Sequence, residues 1–293
     1  MEIKKIGFIG VGIMGKSMVR NLMKKGFELS VYSRTKSKCL DVIEEGARWY
    51  DTAAECAKDQ DAVITIVGFP KDVEEVYFGN EEKTGILDAA RKGSVLIDMT
   101  TSSPRLAKKI YDAAKEKGLY ALDAPVSGGD TGAKNGTLTI MVGGDREIYD
   151  ELIPVFEAMG TNNTYEGKAG FGQHTKAVNQ IIIAGTISAI SEAVNYANKN
   201  GLDVQTVLDS ICKGAAGSWQ LDNNAPKMLA GDFDPGFCIK HFIKDMAIAL
   251  DEGKASGAKL PVVETVIEMY REMDKEGFGD LGTQALIKYY EKE

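Results

Sequence analysis

Histidine is nearly absent: the 293 residues include two, His174 and His241, so histidine acid-base chemistry or a histidine-rich metal site has few candidates. Cysteine is scarce as well. Cys39, Cys56, Cys212 and Cys238 are far apart, with no pair at metal or redox spacing, and read as reduced, mostly buried thiols that suit a cytoplasm. Positive charge is in deficit: 35 Lys and Arg against 43 Asp and Glu give a formal net charge of −8, the wrong sign for a general nucleic-acid or anionic-membrane binder. A local basic pocket stays open. "MEIKKIGFIG" has no apolar run ahead of a small-residue cleavage site, and no apolar stretch approaches the roughly 18 residues of a membrane span. A soluble, unexported, cytoplasmic protein without a metal centre is expected.

What is present is length and pattern. A chain of 293 residues is long enough for two domains and a core that needs no covalent staple. Up to about residue 165, the branched apolar runs "KIGFIG", "LSVYS", "AVITIV", "SVLIDM", "YALDAP" and "LTIMVGG" recur, most followed by helical pattern. That alternation predicts a doubly wound, mostly parallel α/β sheet covered on both faces. After about 168 the strand signal ends, and the rest reads as helix broken at "KNGLD" and "FDPGF". The expected division is 1–165 and 166–293. Ala177 to Asn198 reads as a helix about 33 Å long, apolar nearly all round, and so expected to be buried between domains or subunits.

Three motifs carry chemistry. Gly10, Gly12 and Gly15 in "IGFIGVGIMG" make G-x-G-x-x-G between a strand pattern and a helical one. Such glycines permit a tight turn, let backbone approach a pyrophosphate, and let helix and strand pack closely. With Ile13 and Met14 in the same turn, they are expected to bind a dinucleotide. Farther on, "VYSRTKSK" puts Ser33, Arg34 and Thr35 where an acidic residue would hold a ribose 2′-hydroxyl. Arg34 can grip a 2′-phosphate bidentately, with Ser33, Thr35 and Lys38 nearby, which favours NADP over NAD; a solvated basic turn is the plainer alternative. In "DAPVSGGDTGAKNGTL", Ser127 with Gly128 and Gly129 offers a hydroxyl and two freed backbone N–H groups to a carboxylate or oxyanion. By composition alone, an ordinary turn fits this stretch at least as well.

These residues carry a resemblance. "GFIGVGIMG" with "NLMKKG", "DAPVSGG…GA…GTL", "GFGQHTKAVNQ" and "IKDMAIALDEG" run in order from residue 7 to about 253. The chain thereby resembles the β-hydroxyacid dehydrogenase family, which includes 3-hydroxyisobutyrate dehydrogenases, tartronate semialdehyde reductases and glyoxylate/succinic semialdehyde reductases. The resemblance implies an N-terminal Rossmann domain, a long linking helix and a helical C-terminal domain of the 6-phosphogluconate dehydrogenase type. It implies Lys176 as the catalytic residue and Ser127-Gly128-Gly129 as the substrate anchor. It also implies Thr101 in the nicotinamide pocket, and Phe237, Lys244 and Asp245 closing around nicotinamide and substrate. Asn179 matches the first asparagine of the family's K-x-x-N-N pattern. Gln180 stands in place of the second, keeping the amide on a longer arm. Homodimers or homotetramers are the implied assembly.

Hydride transfer at a hydroxylated carbon needs a group that takes the hydroxyl proton in oxidation and returns it in reduction. A lysine can do both, and Asn179 or Gln180, one helical turn on, shares its face. His174 sits two residues before Lys176, on another helix face, at a variable family position, and is expected to have no catalytic duty. His241 shows no positive sign of one. Ser218, Trp219 and Asn223 match a segment bordering the substrate pocket in related dehydrogenases, although helix packing explains Trp219 equally well. Gly282 stands where relatives often have Asp. The expected activity is NADP-preferring, NAD being possible, on a short 3-hydroxy acid or a similar small hydroxy acid and its semialdehyde or aldehyde acid, with a tartronate or succinic semialdehyde/glyoxylate reductase of the same family as the alternative. Two other readings are an imine reductase, which generally carries another residue at the Lys176 position, and a cofactor-binding regulator without turnover.

Overall fold

A computed structural model describes residues 2–291 and divides the chain into two compact units after Lys176. The first contains strands β1 (Lys5–Ile9), β2 (Glu28–Tyr32), β3 (Arg48–Trp49), β4 (Ala62–Thr65), β5 (Val95–Asp98), β6 (Tyr120–Asp123), β7 (Val126–Ser127), β8 (Leu138–Gly143) and β9 (Gly160–Gly167). They form one sheet in the order β3-β2-β1-β4-β5-β6-β8-β7, with β9 paired to β8. From β3 to β6 every pairing is parallel; β8 runs antiparallel to β6 and β7, and β9 parallel to β8.

The apolar runs become strands because both faces of the sheet are covered. Ala62 and Ile64 enter one core and Val63 the other; Val95 and Ile97 likewise oppose Leu96. This is the period-2 alternation of a strand buried on both sides. Phe8 is fully buried in the first core, worth roughly 1.5–3 kcal/mol. Helices close the crossovers with ordinary stop and start chemistry: Ser103 Oγ accepts from Leu106 N at 3.4 Å, ahead of Pro104 in the Pro104–Glu116 helix.

The second unit is helical. Most of the Phe171–Lys199 helix packs there with Val204–Ile211, Trp219–Ala230, Ile239–Ser256 and Pro261–Lys275 around a core that includes Ile187, Phe242, Met246 and Tyr270. The Phe242 and Tyr270 rings meet edge to face at 5.4 Å, and Tyr270 OH donates to Thr283 O at 2.7 Å, so the buried hydroxyl has its partner.

The long helix differs from expectation in three ways. It begins at Phe171, because its first turn is anchored on β6 and β8, and the compact units divide inside it, after Lys176. It is not buried all round in this chain, since Val178, Ile182 and Tyr196 are exposed. By length and composition alone it would also suffice to cross a membrane, which corrects the expectation that no apolar stretch comes close. Its buried polar residues Gln173, Lys176, Gln180 and Ser191, and its share in the helical core, make it a core helix.

Candidate active site

β1 lies between β2 and β4, so the strand order reverses there. The crevice beyond the carboxyl ends of such strands is where open α/β sheets take ligands. The three glycines of the β1 turn do different jobs. Gly10 has φ +103°, and a Cβ on it would lie 2.0 Å from Ile66 O; on Gly15 it would lie 2.1 Å from Gly10 O. Those two are demanded by packing. At Gly12 a Cβ would meet nothing within 4 Å, so backbone is bared to open space at the start of the Ile13–Lys24 helix. Ile13 is 78% exposed there, while Met14 packs against the core. This cradle fits a dinucleotide pyrophosphate.

Ser33, Arg34, Thr35 and Lys38 follow the end of β2, the neighbouring strand. Ser33 is half-buried and the other three are exposed. Arg34 Nη1 is 3.3 Å from Asp72 Oδ1, and Asp72 Oδ2 accepts from Phe69 N at 3.1 Å. The guanidinium therefore already has a loose carboxylate partner.

Ser127 ends β7 opposite Thr139. Gly128 and Gly129 follow with φ +127° and +61°, a left-handed pair that side chains would strain. Thr101 lies in the segment after β5, and its two neighbours are fixed. Thr100 N donates to Asp98 Oδ1 at 3.1 Å, Thr100 Oγ1 accepts from Val67 N at 2.9 Å, and Ser102 N donates to Gln173 Oε1 at 2.9 Å. Asp98 also accepts from Thr65 Oγ1 at 2.9 Å, and Tyr77 OH is 3.1 Å from that hydroxyl. Burial pushes the Asp98 carboxyl up to about 6 against these hydrogen bonds.

Lys176 is 6% exposed, one turn into the long helix. Asp123, at the end of β6, caps that helix: Gly170 N donates to Oδ1 at 2.7 Å and Gln173 N to Oδ2 at 2.8 Å. Burial raises its pKa while those N–H groups hold it down. His174 is exposed and packs edge-on against Phe171. Asp98, Asp123 and Gln173 are the site's supports that sequence reasoning missed.

In the helical unit, Gln180 Nε2 donates to Asp245 Oδ2 at 2.6 Å and Gln180 Oε1 accepts from Asn179 Nδ2 at 2.7 Å. Lys244 Nζ lies 3.1 Å from Asp245 Oδ1, close as a charge but not aligned as a hydrogen bond, so Oδ1 has no hydrogen-bond donor. Phe237 packs on Phe242 and His241. Burial, helped by the Lys244 charge, lowers the His241 pKa. Ser218 caps the Trp219–Ala230 helix, accepting from Leu221 N at 3.1 Å, and Asn223 bonds back to Trp219 O at 2.9 Å; Trp219 itself is 67% exposed. A Cβ on Gly282 would come within 2.3 Å of the Gln284 side chain, which holds Asp232 O and Asp234 O. An Asp there would require the Gln284 amide to move. Among the described residues, no group of three His, Cys, Asp or Glu could hold a metal ion.

A glycine turn at the switch point of a doubly wound sheet, joined to a helical unit by a helix with a buried lysine near its start, defines an oxidoreductase that binds a nicotinamide dinucleotide. Residues 5–167 match the NAD binding domain of 6-phosphogluconate dehydrogenase, and residues 170–290 match the NAD-binding domain of NADP-dependent 3-hydroxyisobutyrate dehydrogenase. The chain is 52% identical over 289 residues to an uncharacterized oxidoreductase of Bacillus subtilis (strain 168), with 99% of each covered. It is 38% identical over 287 residues to the 2-hydroxy-3-oxopropionate reductase of Escherichia coli (strain K12), with 98% of this chain and 97% of that one covered. A Mycobacterium tuberculosis 3-hydroxyisobutyrate dehydrogenase structure with L-serine superimposes with a TM-score of 0.90 at 31% identity, covering 98% of this chain and 99% of that one. The chain belongs to the β-hydroxyacid dehydrogenase family.

Proposed function

We propose that the protein is an NADP-preferring oxidoreductase that interconverts a short 3-hydroxy acid and its semialdehyde, with Lys176 as proton donor and acceptor. The observation that carries this reading is the burial of Lys176 at 6% exposure, one turn from a helix start pinned by Asp123. An ammonium is costly to bury without a purpose. The nicotinamide, when bound, gives or takes the hydride. Gly10, Gly12 and Gly15 with Ile13 and Met14 would hold its pyrophosphate, and Ser33, Arg34, Thr35 and Lys38 its 2′-phosphate. Thr101 would border the nicotinamide, and the family resemblance alone assigns Lys244 to cofactor binding. Ser127, Gly128 and Gly129 would bind the substrate carboxylate; Asn179, Gln180, Phe237 and Asp245 are assigned to substrate binding by the family resemblance alone. Lys176 Nζ would hand its proton to the nascent alkoxide in reduction and take it back in oxidation.

The substrate class draws on two relatives. The E. coli protein is named for 2-hydroxy-3-oxopropionate, and the M. tuberculosis structure holds L-serine. Both molecules are three-carbon acids with oxygen on C3. The test is turnover of 3-hydroxyisobutyrate, 2-hydroxy-3-oxopropionate, glyoxylate and succinic semialdehyde with NADP(H) and NAD(H), on the wild type and on Lys176→Ala. Loss of general acid-base catalysis should lower kcat about a hundredfold or more; a variant within about threefold of wild type would remove Lys176 from the mechanism.

The same reading includes a second copy of the chain. Val178, Ile182 and Tyr196 are exposed along one face of the long helix, and Val262 is also exposed, close to Gly185 of that face. A single light-scattering mass equal to one chain at micromolar concentration would count against it. The four cysteines are free thiols, which fits the cytoplasmic location we propose.

A further inference from the structure

Gln173 is 1% exposed and uses both ends of its amide. Oε1 accepts from Ser102 N at 2.9 Å and Nε2 donates to Thr100 O at 2.7 Å. These are the residues on either side of Thr101. The backbone N–H of Gln173 is held in turn by Asp123 Oδ2 at 2.8 Å, while Asp123 Oδ1 takes Gly170 N at 2.7 Å. Close approach of backbone completes the anchor: a Cβ on Gly172 would lie 2.3 Å from Met141 O, and one on Gly143 would lie 2.6 Å from Asp123 Oδ1. Lys176 follows Gln173 by three residues, its neighbour on the helix surface.

A helix start needs partners for its orphan N–H groups, and the Asp123 carboxylate supplies them. Capping does not require Gln173 to reach across to another segment with two bonds. That reach fixes the height and rotation of the helix's first turn relative to residues 100–102, and so relative to Thr101. We propose that Gln173 is a positioning residue for Lys176, stapling the first turn of the long helix to the Thr101 segment on the foundation of the Asp123 cap. The proposal rests on the reading of Lys176 as proton donor and acceptor.

The test is a double-mutant cycle of Gln173→Met and Lys176→Ala, assayed with NADPH and whichever of glyoxylate or succinic semialdehyde the wild type reduces faster. Methionine keeps the length and burial of the side chain and removes both bonds. Gln173→Met is expected to lower kcat about tenfold or more with KM for NADPH within about threefold, and to add less than about twofold to the Lys176→Ala loss. In the cofactor-free protein, amide hydrogen exchange of the peptide covering 170–176 should rise at least about tenfold, while the 204–211 helix is unchanged. A Gln173→Met kcat within threefold of wild type, losses that multiply in the double variant, or unchanged exchange would overturn the positioning role. Lys176→Ala within threefold of wild type would instead overturn the reading of Lys176. Should Gln173→Met fail to fold, Gln173→Asn, too short to span both partners, repeats the cycle with the same expected and overturning outcomes.

Discussion

Gln180 Nε2 donates to Asp245 Oδ2 across 2.6 Å, so the longer amide at the position where many relatives have asparagine reaches a carboxylate that is 2% exposed. Gln180→Asn shortens the arm by one methylene and leaves that oxygen without its donor. An unsatisfied buried acceptor costs about 1–3 kcal/mol, which urea unfolding would register. We expect the ratio of kcat/KM for glyoxylate over succinic semialdehyde to change by about fivefold or more as well, since one methylene is worth roughly 1–3 kcal/mol in a pocket. Unfolding within about 0.5 kcal/mol of wild type and an unchanged ratio would show that the bond has neither role.

The glycine turn separates folding from binding. Gly12→Ala puts a methyl into open space, so the unfolding free energy should stay within about 0.5 kcal/mol of wild type. The same methyl stands where a pyrophosphate would approach, and the NADPH dissociation constant, read by fluorescence quenching, should rise about tenfold or more. Gly15→Ala should do the opposite kind of damage: its Cβ would lie 2.1 Å from Gly10 O, a backbone clash expected to cost several kcal/mol, on the order of the larger overpacking penalties. If both variants lose stability equally, the division of labour is wrong.

Six apolar runs in the sequence became β1, β2, β4, β5, β6 and β8 because strands buried on both faces have to be apolar throughout. β9, "GTNNTYEG", is polar and mostly exposed or half-buried, and β3 and β7 have two residues each, so no pattern announced them. The packing roles of Gly10 and Gly15 were legible because they are local to a motif, whereas Lys176 was marked only by the family resemblance. Asp123 and Gln173 stood inside quoted motifs without a role, since their partners lie 47 to 73 residues away. Gln180 was visible as a departure, but the carboxylate it meets is 65 residues along the chain. Sequence spacing carries helical and strand neighbours, and says little about which buried polar group finds which.

Asp98 makes stability depend on pH. Its folded-state pKa is raised to about 6, whereas an unfolded aspartate titrates near 3.9. The folded form therefore holds a proton that the unfolded form has released, and the stability associated with this group is full below about pH 4 and lost as pH rises through about 6. The total is on the order of 2–3 kcal/mol. Asp98→Asn cannot ionise, so the stability of the variant minus that of the wild type should climb by about this amount between about pH 3.5 and 7 in urea melts. A difference that stays flat across the window would mean that Asp98 titrates normally.

Arg34 is 79% exposed at its side chain and 3.3 Å from Asp72, a pairing worth little to the fold in solvent. Its value should appear only against a 2′-phosphate, where a charge-assisted bidentate contact contributes about 1.5–3 kcal/mol. Arg34→Ala should therefore raise KM for NADPH by roughly 10- to 100-fold and leave KM for NADH and the melting temperature near wild type. Asp72 competes for the same guanidinium, so Asp72→Asn should lower KM for NADPH modestly, about two- to threefold, by freeing Arg34 and removing a repelling charge. If Arg34→Ala weakens both cofactors alike, the arginine supports the turn and does not read the phosphate. If NADH is the better cofactor of the wild type, the basic turn is a solvated surface and the preference for NADP falls with it.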